Sequence, residues 1–186
     1  ENIHKFDYRF LKEEIPGNIV GLTSILADLK AKEEFRKKQY VETFEVLRKK
    51  AVVESVKGSN AIEGIVTTDD RIQDIVEGAE PATHEEQEIA GYKNALHLIH
   101  EEYENMDLEE DVILMLHKML EEAVNPQEAG KYKKRDNLIM EYQPNGERRV
   151  RFRPVKAKDT QKAMEQLILA YYDARQDAEI PELLLI

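Results

Sequence analysis

The chain contains no cysteine. That excludes disulfides and thiolate metal sites. No apolar run approaches the roughly 20 residues that a membrane-spanning helix needs. No charged-then-apolar signal peptide opens the chain. Internal repeats and low-complexity linkers are absent too. So are a P-loop, a glycine-rich dinucleotide turn, a Gly-x-Ser-x-Gly elbow and a cysteine nucleophile. Basic residues are in deficit, 27 against 38 acidic, for a formal net charge of −11. That balance argues against general nucleic-acid or anionic-membrane binding. Together these absences favour a cytoplasmic protein with no membrane partner.

What is present fits one domain, or one and a small appendage, in 186 residues. Hydrophobic residues at 41% supply a core, and charged residues at 35% suit amphipathic helices. Both ends read as cuts. The chain opens on Glu1. It closes on Pro181-Glu182-Leu183-Leu184-Leu185-Ile186, which has the make-up of the first turn of a buried helix.

Periodicity predicts mostly helix. Ile15-Pro16-Gly17 is a breaker, followed by Leu22, Ile25, Leu26 and Leu29 at helical spacing. A second pattern runs through Tyr40, Phe44, Leu47 and Ala51. A short helix with Ile72, Ile75 and Val76 stops at Gly78. Thr83 and Glu86 form a capping box, opening a helix with Ile89, Tyr92, Leu96, Ile99 and Tyr103 on one stripe. Asp107 with Glu110 signals a further cap, before a helix carrying Val112, Leu116, Met119, Leu120 and Val124. Pro144-Asn145-Gly146 between apolar runs predicts a hairpin, with Val150 and Phe152 on one face and Arg149, Arg151 and Arg153 on the other. From Asp159 helix resumes, with Ala163, Leu167, Ala170, Tyr171 and Ala174 inward.

Three places invite chemistry. Ser59-Asn60-Ala61-Ile62-Glu63-Gly64 reads as a single helical turn, punctuated by Gly58 and Gly64. Ser59 and Glu63 share a face. Ile62, not an acid, stands where a capping box needs one, so Glu63 is either a surface acid on a connector or aimed at a partner. His97, His100 and His117 lack the spacing and polar face of a metal site, and no acid-x-x-His pair occurs, so no metal site is expected. The stretch from Lys131 to Lys158 carries ten basic residues against Asp136, Glu141 and Glu147. It is either a surface for phosphate or an acidic partner, or a solvated face that protects a hairpin edge. Aromatics for base stacking are few there, which speaks against nucleic acid at Arg148–Arg153.

Ser59–Gly64 resembles the inhibitory-helix motif of Fic proteins: Ser or Thr, three residues, Glu, then Gly or Asn. The segments downstream of it keep the order of Fic proteins that carry this helix before the catalytic core. Glu88-Ile89-Ala90-Gly91-Tyr92-Lys93-Asn94-Ala95-Leu96 resembles the first core helix. Leu116-His117-Lys118-Met119-Leu120 resembles the helix after it. Gly130-Lys131-Tyr132-Lys133 is similar to the Gly-x-Tyr-Arg segment, with lysine for arginine. The hairpin from Asn137 to Pro154 resembles the flap. The resemblance covers about residue 16 to the end.

It implies a mainly α, Fic-like helical bundle with one embedded β-hairpin, truncated at its C-terminus. Residues 1–79 would be an N-terminal helical region with the inhibitory helix at about 58–64. Residues 80–186 would be the first part of the Fic core, with the flap at about 137–154. It implies the N-terminal part of a protein adenylyltransferase, which transfers AMP from ATP, with Mg2+, to a hydroxyl side chain of a target protein. Glu63, with Ser59 and Gly64, would block the nucleotide site. Leu138, Ile139 and Met140 would meet the target. Family members often form dimers. The family's His-Pro-Phe and Gly-Asn-Gly-Arg loop is absent, so no catalytic residue is assigned and these residues alone are expected to be inactive. The rival reading is a stand-alone helical interaction module that uses the basic hairpin face.

Overall fold

The computed structural model describes residues 6–12, 17–65, 67–180 and 184–185. The breaker at Ile15-Pro16 and most of the closing run (Pro181–Leu183 and Ile186) lie outside them. The fold is mainly helical: α1 (Gly17–Gln39), α2 (Val41–Ile62), α3 (Asp69–Glu77), α4 (His84–Glu102), α5 (Glu110–Glu121) and α6 (Thr160–Gln176), with a hairpin of β1 (Ile139–Tyr142) and β2 (Arg148–Phe152). Among the described residues no helix is long and apolar enough to cross a membrane.

The chain forms two compact units. One gathers residues 14–107 and 115–130, the other 1–13, 108–114 and 131–186. Residue 79, where sequence reading divides the chain, lies inside the first unit.

In the first unit, α2, α3 and α4 meet around Val56, Ile72, Ile75 and Ile89, with Val52, Val53, Ile65, Val76, Tyr92 and Leu96 packed alongside. Apolar burial of this kind supplies the driving force for three helices to associate. The predicted stripe of α4 is only half used. Ile89 is fully buried, whereas Ile99 and Tyr103 are exposed. At Gly91 α4 approaches the α5 backbone closely: a Cβ there would stand 2.8 Å from the Met119 carbonyl oxygen and 2.9 Å from that of Leu120. The predicted stripe of α1 is not covered at all. Leu22, Ile25, Leu26 and Leu29 are each half exposed or more, and no described residue of α1 is buried.

The caps follow the sequence in part. Thr68 Oγ1 accepts from the Arg71 amide and caps α3, and Gly78, in the left-handed region, ends it. Thr83 caps α4 by accepting from the Glu86 amide. Glu86 turns to other donors: its carboxylate takes the Ala82 amide at 2.7 Å and both arms of Arg71, each at 2.8 Å. The capping box thus becomes a clamp from α4 to α3, because a guanidinium fork satisfies both oxygens of a nearly buried acid.

In the second unit, residues 6–12 dock on α6. The Phe6 amide donates to Gln166 Oε1 at 3.0 Å, and Gln166 Nε2 returns a bond to the Phe6 carbonyl. Tyr8 and Leu11 pack with Tyr171 on Ala174, Ile180 and Leu185. Lys12 pairs with Asp177 at 2.5 Å and Glu179 at 3.1 Å. The hairpin is antiparallel, with Tyr142 opposite Arg148, Glu141 opposite Arg149 and Met140 opposite Val150. Between Met140 and Ile139 the register slips, so that Ile139 faces Phe152 and Arg151 is the extra residue. The simple alternation of apolar and arginine faces is therefore broken. Val150 is half-buried but Phe152 is exposed.

Candidate functional site

Ser59–Gly64 is not a separate turn. α2 runs unbroken from Val41 through Gly58 to Ile62, and a Cβ added at Gly58 would meet open space. The segment forms the end of that helix. The Ile65 amide donates to the Asn60 carbonyl at 2.9 Å and the Gly64 amide to that of Ala61 at 3.1 Å. This pair of bonds, closed by a left-handed residue, is a Schellman motif. Gly64 has φ +82°, a conformation that suits only glycine or asparagine well. The Gly-or-Asn at the close of the motif thus has a local physical reason.

Two residues anchor the helix end. Asn60 is buried and its Nδ2 donates to the Val56 carbonyl at 2.7 Å, so its polar amide is partly satisfied inside the core. Ser59 Oγ accepts from the Tyr92 hydroxyl of α4 at 2.8 Å. Beyond these anchors the chain is presented to solvent. Ile62 is 84% exposed and Glu63 is exposed at the helix C-cap. Among the described residues the Glu63 carboxylate has no hydrogen-bond or ion-pair partner. A helix C-terminus carries partial negative charge, so an acid there is disfavoured. Glu63 is thus the C-cap by its backbone, while its side chain makes no salt bridge among the described residues. Sequence reasoning paired Ser59 with Glu63. The structure divides them, with Ser59 held to α4 and Glu63 free.

Tyr92 and Asn60 are the site residues that sequence reading missed. Tyr92 is legible in the sequence as a member of an apolar stripe and of the segment that resembles the first core helix, but its hydroxyl partner lies 33 positions away. Nearby, Lys57 pairs with Asp69 at 2.7 Å in an open groove of about 760 Å³ between α2 and α3. That groove does not include Glu63, and its charges are of both signs, so the chemistry favours the exposed helix end over the cavity.

Of the other predicted residues, His117 gains a definite partner. Its Nδ1 accepts from the Gly130 amide at 3.0 Å, which leaves its proton on Nε2 and joins two segments that sequence reading treated apart. His97 and His100 are exposed. No cluster of three or more His, Asp or Glu that could hold a metal occurs among the described residues. The Tyr132 hydroxyl is buried with no hydrogen-bond partner among the described residues. Burial, then the charge of Glu110, pushes its pKa up to about 12, so it stays neutral. Leu138, Ile139 and Met140 are all exposed, on and just before β1. Arg148 lies over the Tyr142 ring at 5.4 Å, and Arg151 stands 3.5 Å from Glu141.

No protein-family model matches the chain, and no curated protein matches it either.

Proposed function

We propose that this chain is the N-terminal part of a Fic protein adenylyltransferase, held inactive through Glu63. The observation that carries the proposal is the end of α2, where a helix tied to α4 through Ser59 delivers to solvent a carboxylate with no partner among the described residues. A carboxylate so placed pairs readily with an arginine of an anion pocket, and it repels a polyphosphate. Glu63 would act by occupying that arginine and displacing the γ-phosphate of ATP. Exposed Leu138, Ile139 and Met140 on a two-stranded hairpin support the companion role of β1, which is to take up an extended target segment by strand addition and to present the target's hydroxyl residue.

These residues do not themselves make a site for ATP or Mg2+. Glu63 is an anion, and the described residues bring no metal-ligating cluster together. On this reading both belong to the family's His-Pro-Phe and Gly-Asn-Gly-Arg loop, which the sequence does not contain. The test has two arms. The 186 residues incubated with labelled ATP, Mg2+ and candidate targets should transfer no AMP; transfer would overturn the assignment of an incomplete site. In a longer protein carrying the loop, Glu63→Gly should raise AMP transfer, and unchanged activity would remove Glu63 from the inhibitory role.

The alternative, a stand-alone interaction module, draws on the exposed Arg149, Arg151 and Arg153. It predicts that an acidic peptide binds the 186 residues, and that Arg149→Glu with Arg153→Glu abolishes binding.

A further inference from the structure

His97 and His100 belong to no metal-ligating cluster among the described residues, yet they do not stand alone. With Lys93 they recur at helical spacing along α4, which sets the three side chains on one face. Opposite them α2 brings Glu45, Arg48 and Lys49, again at helical spacing. Both sets line one open pocket of about 260 Å³, and its apolar part is Val52 of α2 and Val76 of α3. Val52 and Val76 also pack on the core of this unit, so the contacts that join α2, α3 and α4 fix the floor of the pocket.

Most of the cationic groups there are not used by the fold. Lys49, His97 and His100 make no hydrogen bond or salt bridge among the described residues. Lys93 Nζ reaches the Ile75 carbonyl at 3.4 Å, a long and weak bond. Arg48 pairs with Glu101 from helix to helix, but both side chains are half exposed, where such a pair contributes little. Three permanent cations thus face two carboxylates, Glu45 and Glu101. The pocket has one positive charge in excess, and three once both imidazoles are protonated, in a chain whose net charge is −11. Arg48, and after it His97 and His100, hold the Glu101 carboxyl below its ordinary pKa, so the imidazoles are close enough to act on an anion here.

We propose that this pocket binds a small phosphate ester, with Lys49, Lys93 and the two imidazoles on the phosphoryl oxygens and Val52 and Val76 under its neutral body. The inference does not rest on the role of Glu63. The volume of about 260 Å³ lies just below the range of roughly 300–1,000 Å³ usual for drug-sized ligands, so the pocket seats one phosphoryl group on a compact body. A phosphate dianion takes stronger hydrogen bonds from ammonium and imidazolium than from neutral donors. Lys93 and Glu101 face the imidazoles from their own helix, and Glu45, Arg48 and Lys49 face them from α2. Among the described residues α3 lends the pocket no charged group. Histidine takes up its proton between about pH 8 and 5, so binding strengthens as pH falls.

The test titrates the whole 186-residue chain with sulfate, inorganic phosphate and glycerol 3-phosphate at constant ionic strength, and follows the amide NMR signals of α2 and α4. Each anion should shift them saturably, glycerol 3-phosphate at the lowest concentration. Inorganic phosphate binding equally well would overturn the ester in favour of the free ion. Lys93→Gln should weaken binding roughly tenfold, the loss of one charge-assisted bond. Lys49→Gln, on the facing helix, should do the same, so a folding defect in one variant, seen by circular dichroism, leaves the other to decide. Glu45→Gln should tighten binding, and Lys30→Gln, on exposed α1, should leave it unchanged. Sulfate stays a dianion between about pH 7.5 and about pH 5.5, so its gain in affinity over that range reports the protein, and His97→Gln with His100→Gln should remove the gain. Shifts that do not saturate, shifts that chloride reproduces, or an equal loss in Lys30→Gln would overturn the site. Sulfate affinity independent of pH would overturn the part given to the imidazoles.

Discussion

Glu86 shows how one residue's local and tertiary roles part. The sequence pattern places it at the start of α4 as the reciprocal half of a capping box. The fold gives it Arg71, whose guanidinium, followed by the Ala82 amide, draws its pKa down to about 2 from 4.5. A carboxylate depressed on folding stabilises the native state above its unfolded pKa, and that contribution is lost as pH falls through its folded one. Glu86→Gln should therefore lower the melting temperature most above about pH 5, with the gap to the parent closing toward pH 2. Thermal denaturation followed by circular dichroism across that range checks it. A gap independent of pH would mean that packing, not charge, holds the α3–α4 clamp. Glu63 is the opposite case, an acid without a partner among the described residues. Glu63→Gln should raise the melting temperature slightly rather than lower it, since a C-terminal anion is removed.

At the scale of elements, three glycines with the same side chain have three different jobs. Gly58 lies in the interior of α2 with nothing near it, so Gly58→Ala should stabilise the chain by about 0.5–1 kcal/mol. Gly64 closes the same helix at positive φ, so Gly64→Ala should cost about 1–2 kcal/mol and fray the segment that carries Glu63. Gly91 permits the close approach to the Met119 and Leu120 carbonyls, so Gly91→Ala must push backbone apart, at about 1–3 kcal/mol. Chemical denaturation of the three variants separates them by sign and size. The helices themselves were legible because their spacing is local. The sequence reading misjudged Gly58, taking it for a boundary. One glycine in a helix costs less than the packing of Val52, Val53 and Val56 returns, so tertiary contacts carried α2 through it.

At the scale of the whole molecule, contacts between distant parts of the chain organise each unit. Residues 6–12 hold α6 through partners some 160 positions away, a pairing no periodicity reveals. Leu11→Ala or Tyr8→Ala should loosen that docking and speed amide hydrogen exchange in α6 by roughly tenfold, with exchange in α3 and α4 unchanged. Equal acceleration in both units would mean that the chain opens as one body. The candidate site has the same history. Its motif was readable as a string, and its end as a glycine turn. Its anchoring to Tyr92, and with it the isolation of Glu63, depends on where α4 passes α2.

The sequence by itself determined the helical class, the hairpin at Asn145-Gly146, the stops at Gly64 and Gly78, and the lack of thiol chemistry. Each is set by backbone preference or hydrophobic spacing within a few residues. Only the tertiary structure decided that Glu86 clamps Arg71, that Ser59 belongs to Tyr92 rather than to Glu63, that His117 meets Gly130, and that the stripe along α1 stays bare. Those outcomes depend on which faces come within hydrogen-bonding and van der Waals range. That is settled by the packing of elements far apart in the chain, and no local window of residues contains it.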